Sequence, residues 1–319
     1  MSAPAPARPV PNGTPTPAPS RMKLAAIRTG RIERPHRIVL SGVEGIGKST
    51  FAAGAPAPIF LDAEDGTGHL DVARFPRPES WADVGAAIDE LGREKHAFKT
   101  LVIDTVDHIE PLLWRFICDR DKQPSIEGYG YGKGYVAALD EWRLFLARIE
   151  RLQTATAMHV VLLAHTMIRT WKNPEGADFD RYQLKLNEKA GGLLKEWSED
   201  VLFANYEQFA NRDAQTKRVK GVSTGARLIY TTRTATYDAK NRQNLPESLP
   251  LGWEEFANAV AAGASPEALR PAIVEKIAQL AEKDRARITA ALERAKDDAD
   301  KLTYLNNLCN SLMPAQSAP

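Results

Sequence analysis

Arg37-Ile-Val-Leu-Ser-Gly-Val-Glu-Gly-Ile-Gly-Lys-Ser-Thr50 joins a short apolar run, residues 38–40, to Gly42-x-x-x-x-Gly47-Lys48-Ser49. An apolar run ahead of this spacing predicts a buried strand, a tight loop and the start of a helix, which is the P-loop pattern for phosphate binding. Gly42, Gly45 and Gly47 are expected to let the backbone curl until its N–H groups point inward. The cradle would comprise Gly42, Val43, Glu44, Gly45, Ile46, Gly47, Lys48, Ser49 and Thr50. Lys48 would reach the β- and γ-phosphates of ATP, and the Ser49 hydroxyl would ligate Mg²⁺.

Three further strands are expected around the first. Ala57-Pro-Ile-Phe-Leu-Asp62 runs into Ala63-Glu64-Asp65-Gly66. Acidic residues at the carboxyl end of such a strand lie where open α/β sheets place their ligands, and Glu64 is the candidate to polarise an attacking water. A plain acidic turn is the alternative, since Asp65-Gly66 is good turn chemistry. Lys99-Thr-Leu-Val-Ile-Asp104-Thr105 is an apolar strand ending in the candidate Mg²⁺ carboxylate, Asp104. Met158-His-Val-Val-Leu-Leu-Ala-His165 ends in a histidine placed to sense the γ-phosphate; a satisfied structural histidine is the plainer alternative. Amphipathic helices over 81–95, 109–120 and 136–152 would connect these strands.

Two polar segments interrupt the pattern. Gly128-Tyr-Gly-Tyr-Gly-Lys-Gly-Tyr135 is too glycine-rich for a good helix and predicts a loop. Tyr129, Tyr131 and Lys133 there could stack on bases and meet phosphates, or the tyrosines could fold back onto the core. Residues 167–187 read as a long polar segment in which Arg169, Trp171 and Lys172 again suit a nucleic-acid strand. Residues 211–242 hold eight Lys or Arg against Asp213 and Asp238, a local charge of +6 on a chain of net +1.

The constellation resembles the RecA-like ATPases, and more closely the phage AAA-domain ATP-binding proteins related to RecA-like single-strand annealing proteins, over residues 37–253. The resemblance implies an α/β RecA-like core, a central mostly parallel sheet flanked by helices. It also implies ATP hydrolysis with Mg²⁺, single-stranded DNA as partner, homo-oligomers and a role in recombination or annealing. Ala239-Lys-Asn-Arg242 resembles the Lys-Asn-Arg motif of RadA-type proteins, which implies that Lys240 and Arg242 act on the nucleotide of a neighbouring subunit. A P-loop switch or accessory protein without DNA activity, and a small-molecule or nucleotide kinase, are the other functions this motif admits.

The ends differ from the middle. Seven prolines within residues 1–20 predict a disordered leader, taken as 1–22, before an ATPase domain over 23–258. Ala-, Glu-, Lys- and Leu-rich sequence then predicts a helical appendage, 264–314, with helices at 266–283, 284–296 and 300–312. It could dock a protein such as a single-strand-binding protein. Cys118 and Cys309 have no metal or redox spacing, which speaks for a reducing compartment. No apolar run approaches the ~20 residues of a membrane span. A cytoplasmic location, inside a bacterial host if the chain is phage-encoded, is expected.

Overall fold

The computed structural model describes residues 22, 24–27, 29, 34–212, 219–264, 266–296 and 298–312. The proline-rich leader, residues 1–20, lies outside them, as do the side chains of Arg212, Lys217, Arg218 and Lys220 in the basic segment. Two units are distinguished, Met1–Glu33 and Arg34–Pro319. The first holds one short 3-10 turn, Leu24–Ala26, among its described residues.

The second unit begins with β1 (Arg37–Gly42), α1 (Lys48–Ala53), β2 (Pro58–Asp62), β3 (Ala73–Arg74) and α2 (Trp81–Arg93). Next come β4 (Thr100–Asp104), α3 (Val106–Arg120), α4 (Lys133–Thr156), β5 (His159–Trp171), β6 (Phe179–Leu184) and α5 (Glu188–Trp197). The chain continues through β7 (Asp200–Arg212), β8 (Val219–Tyr230), β9 (Ser248–Pro250) and α6 (Trp253–Ala264). It ends in α7 (Pro266–Gln279), α8 (Glu282–Ala295) and α9 (Ala299–Leu312). No described helix is long and apolar enough to cross a membrane.

The strands form one sheet in the order β3-β2-β4-β5-β1-β7-β8-β9, with β6 paired to β5. From β3 to β7 all neighbours are parallel; β8, β9 and β6 add antiparallel pairs. Parallel strands covered on both faces need apolar side chains in both directions, which is why β1, β4 and β5 read as unbroken apolar runs. Val39, Leu101, Ile103, Val160 and Leu162 enter one core with α2, α3, α4 and α5. Ile38, Leu40, Val102, Val161 and Leu163 enter the opposite core, against Phe51 of α1 and Phe256 of α6.

Register then brings the strand ends level. Gly42 pairs with His165, and Asp62 with Asp104. Sitting between β1 and β4, β5 carries His165 to the P-loop, as its place beside the Asp104 strand requires.

Two expectations need revision. Residues 167–187 are largely a β-hairpin: β5 runs on to Trp171, and β6 returns in register from Trp171↔Phe179 to Thr166↔Leu184. Asn173-Pro-Glu-Gly176 is turn chemistry between two strands. The glycine–tyrosine segment is also more ordered than a free loop. Ile126–Tyr129 is a 3-10 turn, and Lys133, Gly134 and Tyr135 form the first turn of α4.

Candidate nucleotide site

The cradle is built from conformations that glycine supplies. Gly45 has φ 72° and Gly47 φ 110°, both in the left-handed region where a side chain is strained. Gly42 is needed for a different reason from the one its motif position suggests. A Cβ there would sit 2.6 Å from the Ala204 carbonyl oxygen of β7, so close strand packing, not backbone freedom, excludes a side chain.

Around this bend the N–H groups of Gly45, Gly47, Lys48, Ser49 and Thr50 have no hydrogen-bond partner among the described residues. Lys48 Nζ donates to the carbonyls of Gly42 (3.3 Å) and Val43 (3.1 Å). Burial lowers its pKa, although Asp104, Glu64, Asp107 and Glu44 push the other way. Ser49 Oγ donates to Asp104 Oδ2 at 2.6 Å. Burial, with help from Asp62 and Glu64, pushes the Asp104 carboxyl up to about 6 against the opposing pull of Ser49 and Lys48. Orphaned amides, a buried ammonium held only by carbonyls and a buried carboxylate short of positive charge suit a triphosphate and a hard cation.

Glu64 is presented by a stapled turn. Asp62 accepts from the backbone N–H groups of Asp65, Gly66 and Thr67, and from the Thr67 hydroxyl. Burial would raise its pKa, but these bonds outweigh it and hold the Asp62 carboxyl below its ordinary value. Ala63 and Glu64 donate their N–H groups to the Asp104 carbonyl, which fixes the turn to the end of β4. The Glu64 carboxylate is thereby left half-exposed beside the cradle.

His165 is clamped by a residue that the sequence pattern does not mark. Asp107, in the first turn of α3, accepts the His165 N–H through Oδ1 and faces Nδ1 through Oδ2, each at 2.9 Å. Burial opposes ionisation of Asp107, but the bonds and charge of His165 hold its pKa down. An ionised carboxylate only accepts, so Nδ1 carries the proton. Nε2 lies 3.7 Å from Glu64 Oε2, and His108 Nδ1 lies 3.8 Å from the same oxygen. Arg227 of β8 is one of the eight cations in the basic segment. Its guanidinium lies against the loop from the far side, Nη1 donating to the Ile46 carbonyl at 3.4 Å. Run-on polarity after Asp104 (Thr105, Asp107, His108) is the one local signal for the first pair; Arg227 has none.

The remaining candidates divide. Tyr129 is tied down, its hydroxyl lying within hydrogen-bonding distance of the Ile117 carbonyl and of Asp121. Tyr135 bonds Glu127 and meets Trp114 edge-on. Tyr131 is fully exposed at φ 49°, close to exposed Lys133. On the hairpin, Arg169 is exposed, Trp171 packs against the Arg181 guanidinium at 5.1 Å, and Lys172 pairs with Asp178. Lys240 does not project: its Nζ donates to the carbonyls of Lys195, Glu196 and Ser198 at the end of α5. Arg242 is exposed.

No curated protein matches the sequence significantly. Among solved structures, one that matches is the crystal structure of the RadB recombinase, at 12% identity and a TM-score of 0.36, over 62% of this chain and 80% of that one. The sequence profile described as "AAA domain" matches residues 34–243, more than half of the chain. With a P-loop after β1, Asp104 at the end of β4 and β5 between those strands, the chain belongs to the AAA domain family.

Proposed function

We propose that the chain hydrolyses ATP with Mg²⁺ and couples the cycle to a grip on single-stranded DNA, in recombination or annealing of the phage type. The hydrolytic half is carried by one observation: Lys48, the Ser49–Asp104 pair and Glu64 converge at the carboxyl ends of β1, β4 and β2. Ser49 and Asp104 would hold the metal, which supplies charge neutralisation at the phosphate oxygens. Lys48 and the loop amides orient the phosphates, Glu64 aligns and deprotonates water, and the Asp107-clamped His165 reports on the site.

The coupling is supported by the continuity of β5. One unbroken strand runs from the buried core through His165 into the exposed hairpin that bears Arg169, Trp171 and Lys172. A shift at His165 therefore moves a rigid element that carries cations and an aromatic face, the equipment for a polynucleotide strand. Tyr131 and Lys133 extend that surface in this proposal. The tethered Tyr129 and Tyr135 favour the second reading for their own segment, a connector without DNA contact.

The test is the ATPase rate with and without a single-stranded oligonucleotide, together with binding as salt is raised. Stimulated turnover and binding that weakens steeply with salt are expected. Turnover indifferent to every oligonucleotide would remove the DNA half and leave an ATP-driven switch.

A further inference from the structure

Beside the cradle stands a group of donors that hydrolysis uses only in part. Glu64, His108 and His165 each bring a ligand atom within 4.8 Å of the other two. They come from three elements: the turn after β2, the first turn of α3 and the middle of β5. Two of the separations are 3.7 and 3.8 Å, both to Glu64 Oε2.

The clamp on His165 makes this grouping unusual. Because Asp107 takes up both the N–H and Nδ1 of His165, Nε2 is the ring nitrogen left facing the Glu64 carboxylate. At 3.7 Å a shared proton would make no hydrogen bond. Donors held ~2.1 Å from a tetrahedral ion lie ~3.4 Å apart, close to what is found here. A carboxylate on the far nitrogen is also the usual companion of a metal-bound histidine, since it fixes the tautomer and orients the ring. His108 Nδ1 lies 2.8 Å from Thr105 Oγ1, and binding a cation through that nitrogen would release this hydroxyl. Glu64 and His108 are partly open to solvent, which provides an entry path and room to close by a fraction of an ångström. The surroundings are acidic: Asp62, Asp104 and Asp107 stand near, with Lys48 the neighbouring cation.

We propose that Glu64, His108 and His165 form a second cation site, selective for a borderline transition-metal ion such as Zn²⁺ and separate from the Mg²⁺ position at Ser49 and Asp104. Two imidazoles and one carboxylate match Zn²⁺, whereas Mg²⁺ favours an all-oxygen octahedron. Three protein ligands leave a further position for solvent. One consequence rests on the hydrolytic role proposed for Glu64: a bound Zn²⁺ would occupy the carboxylate that activates water, so turnover would fall as the site fills.

Co²⁺, titrated into the full chain in excess Mg²⁺, tests the site without reference to activity. The expected result is the intense visible absorption of four- or five-coordinate Co²⁺, saturating at one equivalent, displaced by Zn²⁺ and lost in His108→Ala. His108 is half-exposed and has no part in the nucleotide mechanism, so that variant should fold; its thermal melt is the control. In parallel, Zn²⁺ should inhibit the wild-type ATPase at concentrations about tenfold or more below those needed for His108→Ala. Weak six-coordinate absorption, a thiolate charge-transfer band, or the same spectrum in both proteins overturns the site. Equal Zn²⁺ inhibition of both overturns its effect on turnover. A protein that gives the Co²⁺ signature yet never hydrolyses ATP keeps the site and refutes the role of Glu64.

Discussion

Asp104 holds its charge at a cost in the free protein. Its carboxyl is buried and its pKa is pushed up to about 6 from 3.8. Between those values the folded chain keeps a proton that the unfolded chain releases, so stability falls as pH rises through this window. Above it the penalty is constant at ~3 kcal/mol, since each tenfold change in proton affinity is worth about 1.4 kcal/mol. Asparagine at this position still accepts from Ser49 and carries no charge. Asp104→Asn should therefore raise the denaturation midpoint at pH 8, with an advantage that shrinks toward pH 5, while Mg²⁺-dependent nucleotide binding weakens. A variant no more stable than wild type at pH 8 would show that the burial penalty is relieved by other means. Glu64→Gln probes the complementary role: nucleotide affinity should persist and turnover drop by about 10²-fold or more, as for a lost general base. Wild-type turnover would remove Glu64 from the mechanism. These residues are legible in the sequence because each ends an apolar run or sits in the glycine spacing. Asp107 and His108 are not: they acquire meaning only when β5 lies beside β4, 58 residues from Asp107 to His165. Arg227 is further still, meeting the P-loop across 181 residues through the β1–β7–β8 pairing.

Elements differ in how openly they announce themselves. Buried parallel strands must be apolar on both faces, so β1, β2, β4 and β5 stand out as runs, and amphipathic α2 and α4 show their period. The outer half of β5 has no core to face and is written in Met167, Arg169, Thr170 and Trp171, which reads as polar loop. Its pairing with β6 is a non-local fact. The same blindness affects Lys240. A short motif suggests a projecting cation, yet its ammonium collects three carbonyls at the end of α5, where the helix leaves acceptors unmatched. Lys240→Ala should accordingly destabilise the chain by about 1 kcal/mol, discounted from the range for charged hydrogen bonds because the group is only half-buried. Arg242→Ala, altering an exposed side chain, should leave the denaturation curve in place. Denaturant titration of both variants decides the matter: unchanged stability in Lys240→Ala would return Lys240 to the status of a free cation.

At the scale of the molecule, one chain presents the P-loop bend and, separately, an exposed Arg242. α7, α8 and α9 close a small core of their own around Ile273, Ile288 and Leu302. The Arg242 side chain is exposed, while its backbone N–H and its charge favour the buried Asp200 carboxylate; action on another copy is the prediction to test. A head-to-tail assembly would place it against the neighbour's phosphates and add charge stabilisation that the monomer lacks. Two inactive proteins can expose that arrangement. Lys48→Ala loses its own cradle yet keeps Arg242; Arg242→Ala keeps the cradle yet has nothing to lend. In an equal mixture, about a quarter of head-to-tail interfaces join an intact P-loop to an intact Arg242, and turnover should reappear on mixing, with a dependence on total protein concentration. Silence of the mixture, with each variant folded and Arg242→Ala still binding nucleotide, would place the action of Arg242 within its own subunit or outside hydrolysis.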